Sequence, residues 1–264
     1  MLMAARNQLK VTMLSIKYNV MREMTNHISF IINIIFMMLN NATFIIQWIV
    51  LFSLKSDFGG YQMREVMMLW AIACSSYGIA HILFNRAFTL SDAIMKGQLD
   101  SFLVQPKNIL FSLICSQTNI SSIGDLVYGI VVVLIVKPEK ILMYLLFSVF
   151  SAVAYTAIAV LFGSLAFWIV RSDVIADYVN SSLIHFSTYP ADGIFKGIAK
   201  LILYTIVPVQ FVHYMPMRLI LHFNIEEFSY VFLFTIGIVS LSIFVFYRGL
   251  RRYSSSNLMC GRIN

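Results

Sequence analysis

The stretch SDAIMKGQLDSFLVQPKN, residues 91–108, is polar in a chain that is otherwise mostly apolar. It lies between two hydrophobic runs and carries two aspartates and two lysines. Its apolar residues recur close to the 3.6-residue period of a helix, with the charged residues on the opposite face. These apolar residues are Ala93, Ile94, Leu99, Phe102 and Leu103. The pattern predicts a short amphipathic helix, over about residues 92–104, that lies outside a membrane and faces a partner.

The composition indicates an integral membrane protein. Of the 264 residues, 59% are hydrophobic and 12% are charged, against about 25% charged residues in a typical soluble domain. A soluble protein of this size needs a polar surface that this chain cannot supply. The formal net charge of +7 is typical of basic residues that flank membrane spans on the cytoplasmic side, so it does not indicate binding of nucleic acid.

The hydrophobic runs predict an all-α polytopic protein with six transmembrane helices in one membrane domain, residues 28–247. Residues 1–27 are predicted to form a basic amphipathic helix at the cytoplasmic surface of the membrane. A cleavable signal peptide is disfavoured because charges continue to Glu23 and the next apolar run is too long. The predicted spans cover residues 28–54, 66–84, 109–136, 141–170, 174–189 and 228–247, and residues 248–264 form a cytoplasmic tail.

Polar side chains inside the spans are candidates for lining a pathway. An amide is costly against lipid, so it should face another helix or water, and these two explanations stay open. The candidates are Asn33, Asn40, Asn41 and Gln47 in the first predicted span and Asn180 in the fifth. An acid at the centre of a span costs about 3 kcal/mol. Asp125 should therefore be buried against a partner or reached by water, and a structural role is favoured over proton transfer.

Prolines interrupt the chain between the fifth and the last predicted spans. Because proline breaks helix interiors, residues 189–220 are predicted to form a broken, partly re-entrant segment, with a seventh helix over 201–214 as the alternative. Six spans with both termini in the cytoplasm place 12 of the 19 lysines and arginines on the cytoplasmic side. A seventh span would place the basic sequence after the last span outside, so the distribution of positive charge favours six.

The sequence contains no catalytic or metal-binding motif. It has no GxxxxGK[ST] phosphate loop and no HExxH sequence, and its five histidines are dispersed. Its three cysteines lack CxxC spacing. We therefore predict that this chain is not an enzyme, hydrolyses no nucleotide by that loop, and holds no metal ion or cofactor of its own.

The order of these features resembles the permeases of type 2 ABC exporters, the ABC-2 type. KGQLDSFLVQP, residues 96–106, is similar to the family pattern G-x-L-D-x-x-L-x-x-P. TYP at 188–190, VPVQF at 207–211 and YMP at 214–216 resemble a later signature of a small six-span branch. The likeness covers essentially the whole chain.

The resemblance implies a permease subunit of an ATP-driven exporter in a bacterial plasma membrane. Two cytoplasmic ATPase subunits, which would bind ATP and magnesium, and a second permease, identical or different, would be its partners in the bilayer. The helix over 92–104 would be the coupling helix that docks on the ATPase, and the amino-terminal helix would be a second contact. The expected docking residues are Asp92, Lys96, Gly97, Leu99, Asp100, Phe102, Leu103 and Pro106.

The resemblance also implies where the transport pathway lies. The first, second and fifth spans would line it, and the broken segment would cap its outer end with Tyr189, Pro190, Pro208 and Pro216. A mostly apolar lining predicts an amphiphilic substrate, such as a drug, a peptide or a lipid. A secondary transporter or a structural membrane protein is the alternative. The two halves lack the internal repeat usual in secondary transporters, and a structural protein has no need of a docking helix.

Overall fold

The protein is all-helical and has several helices able to cross a membrane. The computed structural model describes residues 2–170, 172–190, 195 and 197–254. It is 80% helical, which confirms the all-α part of the predicted fold class. Within the described residues, four helical stretches are long and apolar enough to span a bilayer: His27–Leu54, Met63–Met95, Pro138–Phe167 and Ile225–Leu250. The chain is thus a multi-pass membrane protein, and the count of six spans stays a prediction.

The amino-terminal half forms helices whose ends follow local capping signals. They are α1 (Leu2–Glu23), α2 (His27–Leu54), α3 (Met63–Phe88), α4 (Leu90–Met95), α5 (Asp100–Leu103), α6 (Ile109–Ile114) and α7 (Ser122–Val136). The Asn26 side chain caps α2 by accepting from the backbone N–H of Ser29 at 3.2 Å. The Glu65 carboxylate caps α3 by accepting from the backbone N–H of Gln62 at 2.8 Å. Residues 55–62 are therefore a turn between α2 and α3.

The predicted third span, residues 109–136, is not one helix, since α6 and α7 are separated by a non-helical stretch. The side chain of Asn119 accepts hydrogen bonds from the backbone N–H and the hydroxyl of Ser121, at 3.2 and 2.8 Å. Its backbone N–H donates to the carbonyl of His81 in α3 at 3.0 Å. Side chains that bind nearby backbone compete with helix formation. The chain is consequently unwound before Ser122, where α7 begins.

The carboxyl-terminal half ends in a long helix that follows several short ones. Its helices are α8 (Ile141–Gly163), α9 (Ser172–Ser187), α10 (Ile198–Thr205), a π-helix (Gln210–Tyr214), α11 (Met215–Leu221) and α12 (Ile225–Leu250). Because α10 ends before Pro208, no continuous helix covers residues 201–214. Residues 191–194 and 196 of the predicted broken segment, and residues 255–264 of the predicted tail, lie outside the described residues.

α3 lies at the centre of the fold and packs mainly against α7 and α8. Its Met68, Leu69 and Ile72 are fully buried. The backbones of α3 and α7 approach closely at Gly129, where an added Cβ would lie 2.7 Å from the carbonyl oxygen of Ala71. Small residues of this kind allow helices to pack within a membrane. By contrast, α2 and α12 are mostly exposed along their apolar surfaces, as expected for helices that face lipid or another membrane subunit.

Candidate functional site: the polar segment and the amides of the spans

The polar segment, residues 90–108, changes direction at Gly97. The φ of Gly97 is 70°, a left-handed conformation that glycine adopts without steric cost. The backbone N–H of Gln98 donates to the carbonyl of Ala93 at 3.0 Å, and that of Gly97 donates to Ile94 at 3.2 Å. These two bonds form the Schellman arrangement of a helix end. In place of the single helix predicted over 92–104, the structure therefore has two short helices, α4 and α5.

The apolar side of the polar segment packs on the protein's own spans. Its buried members join residues of α6, α8 and α12 in one hydrophobic cluster that includes Leu90, Ala93, Ile94, Leu99, Leu110, Leu113, Ala159, Val160 and Phe246. The sequence places Leu99 on the docking face, but its exposed fraction is 0%. Helical periodicity identifies an apolar face without identifying what covers it. Leu99 therefore anchors the segment to the spans and is covered by this chain itself.

The opposite side of the polar segment is open to a partner. Leu103 is 41% exposed and Val104 is 84% exposed, whereas Phe102 is half-buried. The other exposed residues on this side are Lys96, Gln98, Ser101, Gln105 and Pro106. Lys96 pairs with Asp92 at 2.8 Å, an exposed ion pair of the kind that adds little stability. We call this surface, residues 101–106 with Lys96 and Gln98, the outer face.

The half-buried Asp100 connects the polar segment to the residues that follow α12. The hydroxyl of Tyr253 donates to Oδ1 of Asp100 at 2.9 Å. Burial, with this hydrogen bond and the charge of Asp100, raises the pKa of Tyr253, so the phenol stays protonated and continues to donate. The hydroxyl of Ser91 donates to the carbonyl of Gly163 at the end of α8, at 3.2 Å. The segment is thus tied to the ends of two long helices.

α1 lies beside the end of the polar segment. The side chain of Gln8 donates to the hydroxyl of Ser112 at 2.9 Å and accepts from the backbone N–H of Asn108 at 3.3 Å. Further along α1, the side chain of Asn19 donates to the carbonyl of Ser116 at 3.0 Å. These bonds join the amino-terminal helix to α6 and to the stretch that follows it.

The five candidate amides fall into two groups in the structure. Asn33, Asn40 and Gln47 are exposed on α2 and are spaced seven residues apart, so they lie along one side of that helix. Asn41 and Asn180 are buried, with exposed fractions of 4% and 7%. The structure therefore does not bring the five together. The three exposed residues form a line of polar groups on an otherwise apolar surface, which we call the amide stripe.

Asn41 pairs with the one acid inside α7. Its side-chain nitrogen donates to Oδ1 of Asp125 at 2.7 Å. Asp125 is 3% exposed, and its other oxygen, Oδ2, has no hydrogen-bond partner within the described part of the chain. The pair joins α2 to α7, in keeping with the expectation that an acid in a span is buried against a partner.

Replacement of Asn41 by leucine is expected to destabilise the protein more than replacement of both members of the pair. The single change leaves a buried carboxyl group without its donor, at a cost of about 1–3 kcal/mol. The double variant Asn41→Leu/Asp125→Leu removes both polar groups together, which is often nearly neutral. Thermal unfolding of the detergent-purified variants, with Asp125→Leu as the fourth member of the cycle, measures the coupling. Additive losses in the double variant would show that the hydrogen bond does not stabilise the fold.

A buried histidine connects the π-helix to two other helices. Nε2 of His213 lies 2.8 Å from the hydroxyl of Ser76 in α3, and Nδ1 lies 2.5 Å from the hydroxyl of Ser187 in α9. The imidazole is fully buried. This contact is not evident from the sequence, because Ser76 and His213 are 137 residues apart and no local pattern relates them. The three side chains hold the broken segment against the spans.

The residues predicted for the broken segment differ in their exposure. Tyr189 is 46% exposed, whereas all three prolines are buried: Pro190, Pro208 and Pro216. The hydroxyl of Tyr214 lies within 2.6 Å of the carbonyl of Phe186 and 2.7 Å of the carbonyl of Tyr189. Its single O–H can donate to either carbonyl at the end of α9, where backbone freed by a helix break needs a donor.

Comparison with known proteins gives one match. A family model described as ABC-2 family transporter protein matches residues 36–257. The matched region runs from within α2 to beyond α12 and contains both the polar segment and the broken segment. No curated protein and no solved structure matches the chain.

Proposed function

Because the chain belongs to the ABC-2 transporter family, we propose that it is the permease subunit of an ATP-driven exporter, forming half of a translocation pathway. Proteins of this family are membrane components and are not themselves the ATPase. In our proposal, two separate ATPase subunits bind ATP and magnesium and drive this chain together with a second permease.

The polar segment is the observation that carries the proposal. Its inner face is buried against α6, α8 and α12, and its outer face is exposed. A push applied to the outer face would therefore be transmitted to several spans as a rigid-body movement. Rigid attachment and an open contact surface are the two properties that a coupling element needs. α1 is bound to the end of the segment. This supports the proposal that α1 is a second contact for the ATPase.

We propose six spans with both termini in the cytoplasm of a bacterial cell. α6 and α7 together would make the third span, and α9 the fifth. The 16 residues of α9 extend about 24 Å, less than the roughly 30 Å of a hydrocarbon core, so the broken segment that follows would complete this crossing from the outer side. The excess of basic residues on the side of the polar segment supports this orientation.

The amide stripe supports a second permease and a pathway beside α2. Its three amides are exposed on a helix whose other exposed residues are largely apolar, and amides facing lipid are costly. A second membrane subunit or a water-filled path would cover them. We propose that the substrate is amphiphilic, since the apolar surface beside the stripe suits an alkyl or aromatic group and the amides suit a polar one.

Co-purification tests the proposed subunit role. The chain is co-expressed with the ABC ATPase encoded nearest to it and isolated in mild detergent, and we expect a complex with two ATPase subunits whose hydrolysis rate rises in the presence of the permease. The control variant Ser101→Ala/Gln105→Ala alters the outer face without changing its charge or its apolar residues. This variant should form the same complex. Transport by the chain alone, driven by an ion gradient without ATP, would overturn the proposal.

A further inference from the structure

A cluster of arginines lies at the end of α12 that is nearest the polar segment. Arg248, Arg251 and Arg252 are all exposed and follow helical spacing, so they share one side of the chain. With Trp168 they line a cavity of about 380 Å³. Within the described part of the chain, no carboxylate forms an ion pair with these three guanidinium groups. Three neighbouring positive charges thus have no carboxylate partner among the described residues.

A second cavity, of about 530 Å³, continues from this cluster along α12. It shares Arg248 and Arg251 with the first cavity. The remaining lining is mostly apolar and aromatic, namely Ser240, Ile243, Phe244 and Tyr247. Phe244 is 66% exposed and Ile243 is 43% exposed. One side of α12 therefore changes from apolar to basic over about two turns toward its end.

We propose that this groove binds an anionic glycerophospholipid of the bilayer. The phosphate would be held by the guanidinium groups, which bind planar and tetrahedral oxyanions through paired N–H donors. An acyl chain would lie along Ile243 and Phe244. The indole of Trp168, 38% exposed, lines the same cavity as the arginines, and tryptophan is enriched at membrane interfaces.

Two features favour a lipid over a protein partner at this groove. Its apolar part lies on a membrane-spanning helix, where the neighbouring medium is hydrocarbon, and its basic part lies at the end of the span, where headgroups lie. The polar groups expected to meet a second permease, the amide stripe, are on α2 and not on α12. This inference goes beyond the transport role and does not depend on it.

Native mass spectrometry of the detergent-purified chain tests the proposal with phosphatidylglycerol and phosphatidylcholine as probes. We expect phosphatidylglycerol to remain bound at energies that remove phosphatidylcholine. The variant Arg248→Gln/Arg251→Gln/Arg252→Gln should lose at least about tenfold in phosphatidylglycerol affinity, since each basic residue near the headgroups contributes to the attraction. The control Lys55→Gln/Lys137→Gln/Lys140→Gln removes the same charge at the opposite end of the spans and should bind as the unaltered chain does.

Two further arms identify the ligand. Phe244→Ser should weaken the binding of phosphatidylglycerol while leaving the arginines in place, and water-soluble glycerol phosphate should bind far more weakly than the lipid. Equal binding of glycerol phosphate would show that the site takes a free phosphate and would overturn the proposal. Equal losses in the arginine and lysine variants would also overturn it. So would an arginine variant that keeps its lipid but no longer co-purifies with the ATPase.

Discussion

Replacement of both Leu103 and Val104 by aspartate is expected to separate the permease from its ATPase while leaving the membrane domain folded. The two side chains are 41% and 84% exposed, and neither belongs to the hydrophobic cluster that anchors the polar segment to the spans. Burial of an apolar side chain in a protein contact contributes about 1.5–3 kcal/mol. Two negative charges in place of two such contacts should therefore lower the affinity for the ATPase by at least about a hundredfold. Co-purification and permease-stimulated ATPase activity measure the loss.

Leu99→Asp is the informative comparison for this experiment. Leu99 lies four residues from Leu103 but is fully buried in the cluster that fixes the polar segment. An unpaired charge there should detach the segment from the spans and expose the apolar residues beneath it. This variant should therefore lose monodispersity in detergent. If instead Leu99→Asp stayed folded and lost only the ATPase, or if the exposed pair of aspartates left ATPase binding intact, the outer face would not be the docking surface.

Gly129→Val is expected to lower strongly the fraction of the protein that folds correctly. At this position an added Cβ would lie 2.7 Å from the backbone oxygen of Ala71, and the backbone of α3 has little room to move away because residues 68–76 are all buried. Overpacking of a close-packed interior costs about 1–3 kcal/mol and occasionally more. The expected result is a large fall in the fraction of monodisperse protein and in the midpoint of thermal unfolding.

Gly237→Val provides a matched control on α12. An added Cβ at Gly237 meets nothing within 4 Å, so the same chemical change on an equally apolar helix should leave folding nearly unaltered. Similar losses in both variants would mean that valine itself disturbs these helices. An undisturbed Gly129→Val variant would show that α3 and α7 do not cross as closely as the structure indicates.

The local sequence predicted the helical class, the presence of helices long and apolar enough to cross a membrane, and a polar stretch between two of them. Composition and hydrophobic runs decide these features, because a helix in lipid must satisfy its own backbone. In the structure α2 runs from His27 to Leu54, and its amino-terminal end is fixed by the local cap of Asn26. The third predicted span is interrupted before Ser122, where the bond from the backbone N–H of Asn119 to the carbonyl of His81 joins residues that are distant in the chain.

The same distinction applies to the candidate site. The period of the polar segment predicted an apolar and a polar side, but only the tertiary structure shows that its apolar side packs against α6, α8 and α12. Likewise, the sequence grouped Asn40 with Asn41, although one is exposed and the other is buried against Asp125. Adjacent residues on a helix point about 100° apart, so proximity in sequence does not imply a shared environment.

By itself, the sequence determined that this chain is a membrane protein, that it is helical and that one polar element lies between its spans. These are consequences of composition and of short-range periodicity. The tertiary structure alone decided which face of that element is open, which amide meets Asp125 and that His213 joins Ser76 to Ser187. Those pairings depend on how the helices cross, and the crossing is set by close contacts such as that of Gly129 with Ala71, which no local stretch of sequence contains.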